Sequence, residues 1–156
     1  MKTFKYLFFL AFMMTAGSMI VNAQVKDEAE LKSMLDSKTF VFKARTVSPQ
    51  GAPSRQLTSD YGVNFTGDKV IADLPYFGRA YSGSAYGGEG GIKFTSSDFK
   101  YTMKENKKRW SITIVPNDDN SVQRMNLDVS KGGYATLIVT SRNRSNISFY
   151  GVIEKE

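Results

Sequence analysis

The chain contains neither histidine nor cysteine, and their absence removes most of the usual catalytic groups. Without these two residues there is no imidazole general base, no thiolate nucleophile, no serine–histidine triad and no zinc site built from cysteine or histidine. The glycine-rich stretch matches neither G-x-G-x-x-G at the start of a helix nor the phosphate-binding G-x-x-x-x-G-K-[ST] motif. We therefore expect no cofactor, no metal ion and no enzymatic activity.

Paired carboxylates are the remaining candidates for catalysis, and Asp118 and Asp119 form an adjacent pair. They follow Pro116 in the polar stretch Asn117–Asn120, where aspartate commonly bonds to the backbone of a turn. A glycosidase requires two carboxyl groups at a defined separation in a cleft, and a calcium loop requires alternating ligands and a closing glutamate. The pattern favours a turn, and a weak carboxylate-dependent hydrolase is the third of our functional hypotheses.

A glycine- and aromatic-rich segment, residues 74–91, is the strongest candidate for a binding site. It holds six glycines and four aromatic residues in 18 positions, and an irregular connection of this length in a compact domain is often functional. Glycine allows close backbone approach, the rings supply stacking faces, and an arginine supplies a planar fork for a carboxylate, phosphate or sulfate. The predicted ligand-binding residues are Tyr76, Phe77, Arg79, Tyr81 and Tyr86.

The same segment also has a structural interpretation, because its rings could fold back over a barrel end with the arginine stacked on one of them. Trp110 could likewise be a ligand platform, but Ile112 and Ile114 share its face and favour a place in the core. The leading hypothesis is an exported, non-enzymatic domain that binds a small, partly apolar or anionic ligand through residues 74–91. The alternative is a structural or interaction protein of the cell envelope that binds no small ligand.

One helix and a series of strands must position this segment. Asp27 is predicted to cap a helix that ends near Ser37, with Glu30 completing a capping box. The apolar stripe of this helix comprises Ala29, Leu31, Met34 and Leu35. A helix of about three turns is marginal by itself, so we expect this stripe to pack on the sheet.

After residue 38 the apolar pattern changes to a period of two, which indicates strands. About eight or nine strands follow, mostly joined by short turns, and such turns join antiparallel neighbours. The predicted fold is mostly β: a curved antiparallel sheet, barrel-like or a sandwich, with the N-terminal helix covering an open end or edge.

Residues 1–23 have the features of a secretory signal peptide. Lys2 and Lys5 precede the apolar run Tyr6–Met14, and Val21–Ala23 fits a small-residue cleavage site. We expect a single β-rich domain over residues 24–156 that is periplasmic or secreted and has no membrane span after cleavage. The alternative is an uncleaved N-terminal anchor, because residues 19–21 extend the apolar run.

The net charge of +6 is spread along the chain apart from one basic cluster, Lys104–Arg109. A nucleic-acid-binding face would combine basic residues with aromatic platforms. The cluster instead falls at a predicted hairpin tip, so we expect no nucleic-acid partner; the partner would be a small ligand or an envelope protein.

Four short motifs give the sequence a family resemblance. They are Leu74–Tyr81 (LPYFGRAY), Gly91–Phe94, Trp110–Ile112 and Asn146–Gly151. Together they resemble the family of domain of unknown function 4251, which comprises small exported proteins of Gram-negative anaerobes. The resemblance covers about Leu31 to Ile153 and implies an exported, β-rich single domain. It carries over no activity and no role for any residue.

Overall fold

The computed structural model describes residues 27–78 and 90–156, which form one helix and ten strands. The predicted signal peptide, residues 1–23, lies outside these ranges. Helix α1 spans Glu28–Ser37. The strands are β1 Thr39–Pro49, β2 Arg55–Gln56, β3 Gly62–Thr66, β4 Val70–Leu74, β5 Ile92–Ser96, β6 Phe99–Glu105, β7 Arg109–Pro116, β8 Val122–Ser130, β9 Tyr134–Ser141 and β10 Ile147–Glu154. Within the described ranges, no helix is both long enough and apolar enough to cross a membrane.

All ten strands belong to one antiparallel sheet in the order β5-β4-β3-β1-β10-β9-β8-β7-β6, with β2 paired to β1. The two outermost strands, β5 and β6, are consecutive in the chain and are joined by Ser97 and Asp98 alone. The sheet therefore curls until its two edges meet at this corner, and the result is a nearly closed barrel. This confirms the predicted mostly-β fold with one N-terminal helix and decides for the barrel-like form over the sandwich.

Alternate residues of each strand point into the barrel and form its core. Phe40 stacks on Phe65 with ring centroids 4.4 Å apart. Trp110, Ile112 and Ile114 are at most 1% exposed, so the expectation that Trp110 belongs to the core is confirmed. Because large side chains occupy the interior, the surfaces that remain for binding lie outside the core.

Helix α1 begins as predicted at Asp27, whose carboxylate accepts a hydrogen bond of 2.9 Å from the backbone N–H of Ala29. The predicted capping box is wrong in its second half. The carboxylate of Glu30 lies 3.8 Å from the ammonium of Lys155 instead of bonding the backbone N–H of Asp27. An opposite charge from the C-terminal residues thus competes with the local cap for this glutamate.

The inward face of α1 consists of Leu31, Met34 and Leu35, all buried as predicted, whereas Ala29 is exposed. The hydroxyl of Tyr101 on β6 donates a hydrogen bond of 2.9 Å to the carbonyl of Leu35. Burial also raises the pKa of the Tyr101 hydroxyl, so this donor stays protonated. The helix therefore places its apolar face in the core and contacts the edge strand β6 through the Tyr101 hydroxyl.

Ion pairs tie the outer side of α1 to the same end of the barrel. The carboxylate of Glu105 lies 2.7 Å from the ammonium of Lys131 and 3.0 Å from that of Lys32. Lys131 also pairs with Glu28 at 2.9 Å and lies 3.7 Å from the centroid of the Trp110 ring. The hydrogen bonds from Lys131 and Lys32 lower the pKa of Glu105 from 4.5 to about 2.

Replacing Glu105 by glutamine (Glu105→Gln) should lower the Tm at neutral pH, because it removes the charge that the two lysines share. The folded-state pKa lies below the ordinary value, so the charged carboxylate stabilises the fold fully above pH 4.5 and loses this effect as the pH falls toward about 2. The Tm difference between the two proteins should therefore shrink between pH 4.5 and about 2. Thermal melts of both proteins across this range measure it.

Asp68→Asn is the matched control, since it makes the same chemical change at an exposed carboxylate. It reports the general effect of removing one acidic charge. A Tm difference for Glu105→Gln that stays constant from pH 7 to pH 2 would contradict the coupling of Glu105 to the lysines.

Candidate functional site

The predicted ligand-binding segment leaves the barrel at the end of β4, where Tyr76 and Phe77 follow within three residues. Tyr76 is half-buried and packs against the core, whereas Phe77 is 43% exposed. The structure thus directs these two rings to different surroundings. The other three predicted binding residues, Arg79, Tyr81 and Tyr86, lie outside the described residues.

Arg144, in the turn between β9 and β10, braces both sides of the segment. Its Nη1 donates a hydrogen bond of 2.6 Å to the carbonyl of Gly90. Its guanidinium also lies 4.9 Å from the centroid of the Tyr76 ring, at a distance typical of a cation–π contact. Tyr76 precedes residues 79–89 and Gly90 follows them, so one side chain links the two flanks.

The neighbouring Ser145 holds the hydroxyl of Tyr76. The Tyr76 oxygen lies 3.1 Å from the carbonyl oxygen of Ser145 and 3.0 Å from its hydroxyl, and Ser145 itself is buried. Gly78 passes so close that a Cβ there would lie 2.6 Å from the Tyr76 oxygen and 2.8 Å from the Ser145 hydroxyl. Only glycine fits at this position without displacing the tyrosine.

Phe77 has a cationic neighbour of its own. The guanidinium carbon of Arg55, on the short strand β2, lies 5.2 Å from the centroid of the Phe77 ring. Arg55 and Phe77 are both exposed. Residues Tyr76, Phe77, Arg55, Arg144 and Ser145 define what we call the segment end of the barrel.

Two arginines lie over aromatic rings at this end, Arg144 over Tyr76 and Arg55 over Phe77, and sequence reasoning identified neither. Arg144 and Ser145 lie in an ordinary polar turn, and no local pattern relates them to Tyr76. The antiparallel pairing of β9 with β10 sets the position of this turn. The sequence signal that could have indicated the contact of Arg144 with Tyr76 is the predicted hairpin of β9 and β10. A hairpin places its turn at one end of the sheet.

Three surface clefts of about 280, 420 and 530 Å³ lie elsewhere on the described surface. The first has Val41, Tyr61 and Ile71 in its lining, with the ion pair between Lys43 and Asp60, 2.9 Å, beside them. None of the three clefts is lined by Tyr76 or Phe77.

The two aspartates of the candidate catalytic pair accept hydrogen bonds from backbone N–H groups. Asp118 accepts hydrogen bonds from the hydroxyl of Ser96 and from the backbone N–H groups of Ser97 and Asp98, the latter two at 3.0 and 3.2 Å. The bond from Ser96, followed by that from Ser97, lowers the pKa of Asp118. Asp119 accepts from two backbone N–H groups where β8 begins. The turn interpretation is confirmed for Asp119, whereas Asp118 bonds the backbone of the separate turn between β5 and β6. Within the described ranges no cluster of three acidic side chains could hold a metal ion.

Comparison with known proteins identifies the family of the chain and a solved structure of the same fold. Residues 22–153 match the sequence profile of a family described as Domain of unknown function (DUF4251). Three solved chains match, among them the crystal structure of a DUF4251 family protein from Bacteroides eggerthii DSM 20697. That match has a TM-score of 0.54 and 17% identity, and it covers 82% of this chain and 87% of that chain. An identity this low shows the fold alone, and no curated protein matches the sequence.

Tyr76→Phe tests the contact with Ser145. The substitution keeps the ring under the Arg144 guanidinium but removes the hydroxyl, so it should lower the free energy of unfolding by about 0.5–1.5 kcal/mol. Urea unfolding of wild type and variant measures the difference. Tyr134→Phe is the control, because that ring is 63% exposed. Equal losses of stability in the two variants would contradict a stabilising contact between the Tyr76 hydroxyl and Ser145.

Proposed function

The chain belongs to the DUF4251 family, and we propose that it is an exported, non-enzymatic binding domain that engages its ligand through the segment end of the barrel. The observation that carries the proposal is the brace of Arg144, which contacts Tyr76 on one flank of residues 79–89 and Gly90 on the other. A loop anchored on a rigid scaffold is a common arrangement for binding residues.

The groups around the brace suit a ligand that is partly apolar and partly anionic. Phe77 offers an exposed ring to an apolar group, and Arg55 places a guanidinium 5.2 Å from that ring. Arg79 would add a second planar fork, and Tyr81 and Tyr86 would add two further rings. These three residues remain predictions from sequence.

A protein partner in the cell envelope is the second candidate. Exposed aromatic residues beside arginine are typical anchors of protein interfaces, and Phe77 with Arg55 forms such a pair. A carboxylate-dependent hydrolase has the least support, because the backbone occupies both Asp118 and Asp119.

Native mass spectrometry of the protein purified from its own host tests the binding proposal. We expect the wild type to carry a small ligand, seen as a mass increment, or a copurifying envelope protein. Phe77→Ala and Arg79→Lys should reduce either species at least tenfold, because the first removes the exposed ring and the second removes the planar fork.

Ile71→Ala is the matched control, since this residue is 42% exposed and lies away from the segment end. It should retain the bound species at the wild-type level. A wild type without any bound species, or equal retention in all three variants, would contradict binding at the segment end.

The same material tests export. We expect the mature protein to begin at Gln24, because Val21–Ala23 precedes it as a small-residue cleavage site. N-terminal sequencing of protein from the periplasm or medium identifies the first residue. An intact Met1 in the envelope fraction would indicate a retained anchor instead.

A further inference from the structure

Two tyrosines on the outer face of the barrel have largely exposed rings that do not contribute to the core. Tyr134 on β9 is 63% exposed, and Tyr150 on β10 is 48% exposed. Both contribute to the cleft of about 420 Å³, together with Arg109 and Asp128. We call this the tyrosine cleft.

Strand register places Thr136 next to both rings, with Asp128 one strand further along the same face. Asp128 on β8 lies opposite Thr136 on β9, and Thr136 lies opposite Tyr150 on β10. Tyr134 is two residues before Thr136, so its ring projects from the same face as a diagonal neighbour of Tyr150. Diagonal pairs on a sheet face lie about 7–8 Å apart, within reach of aromatic side chains.

The carboxylate of Asp128 is held in a fixed orientation but keeps acceptor capacity. The hydroxyl of Ser111 donates to it at 2.6 Å, and Nη1 of Arg109 lies 3.8 Å from its second oxygen. A carboxylate offers about four acceptor positions. The side chain of Asp128 is 41% accessible, so the remaining positions face the cleft.

We propose that the tyrosine cleft binds an oligosaccharide. A pyranose ring presents an apolar face of C–H groups, which packs on a tyrosine ring, and an edge of hydroxyls, which donate to carboxylates and accept from arginine and lysine. The cleft supplies these groups in one place: Tyr134 and Tyr150 as platforms, Asp128 and Thr136 as acceptors, and Arg109 as a donor. Its volume falls within the usual range of small-ligand sites.

Other ligand classes fit the cleft less well. A phosphate or carboxylate ligand would find Lys108 and Arg109 in the lining, but it would also meet the negative charge of Asp128, which already pairs with Arg109. A protein interface would place a desolvated apolar centre here, whereas the lining of this cleft includes the charged, hydrogen-bonded carboxylate of Asp128. A neutral, hydroxyl-rich ligand with apolar faces satisfies both the rings and the carboxylate.

The tyrosine cleft is separate from the segment end and its ligand. Tyr134 begins β9, and Arg144 follows the end of that strand at Ser141. The eight residues of extended strand from Tyr134 to Ser141 separate Tyr134 from the turn that holds Arg144 by about 23 Å. Failure of either proposal therefore leaves the other intact.

A printed array of neutral, acidic, sulfated and phosphorylated oligosaccharides, probed with the labelled full-length protein, tests the inference. We expect binding to at least one neutral oligosaccharide. Tyr134→Ala and Tyr150→Ala should each weaken this binding at least tenfold, because each removes a stacking platform, and Asp128→Asn should weaken it as well. Tyr134→Phe should stay within about threefold of wild type, since the ring is kept.

Ile71→Ala controls for the general loss of an exposed apolar side chain and should bind like wild type. Circular dichroism melts of each variant verify that the barrel is folded. Three outcomes overturn the proposal: no binding of the wild type to any oligosaccharide, undiminished binding by the Tyr134→Ala/Tyr150→Ala double variant, or binding confined to sulfated and phosphorylated glycans and abolished by Lys108→Ala. The last would identify an anion site in place of a sugar site.

Discussion

Asp118 holds the corner at which the two edges of the sheet meet. Strands β5 and β6 are neighbours in the chain but opposite edges of the sheet, and the carboxylate of Asp118 accepts bonds from Ser96, Ser97 and Asp98 across the turn between them. An open sheet would present two unpaired edges to solvent. The bonds of Asp118 fix this corner to the end of β7, and the Tyr101 hydroxyl on β6 donates to the Leu35 carbonyl of α1.

A barrel closed in this way has a filled interior, and this decides where binding can occur. Trp110 and the stacked rings of Phe40 and Phe65 occupy space that a ligand would need inside. Accessible groups lie at the segment end, where Phe77 is exposed beside Arg55, and on the outer face, where Tyr134 and Tyr150 share a cleft with the carboxylate of Asp128. Both proposed sites therefore use side chains that the core does not need.

Features that rest on local periodicity could be predicted from the sequence. The alternation through Trp110 and Ile112 predicted a buried strand face, and the turn residues around Asp119 predicted its bonds to the backbone. The helix and its buried face also followed from local spacing. Each of these depends on residues within a few positions of one another, where sequence distance and spatial distance agree.

Features that depend on partners distant in sequence could not be predicted. The contact of Arg144 with Tyr76 arises from strand pairing across the barrel, and the ion pair of Glu30 with Lys155 joins residues from the two ends of the domain. The row that joins Asp128, Thr136 and Tyr150 depends on the register of three strands. A shift of one residue in any of them would send these side chains to the opposite face.

The brace of Arg144 also bears on which residues hold the two flanks of the segment together. Its contacts with Tyr76 and Gly90 lie outside residues 79–89, so the spacing of the two flanks is set by a side chain of the turn between β9 and β10. This contact uses no side chain from those eleven positions, and substitutions among them retain the groups that join the flanks.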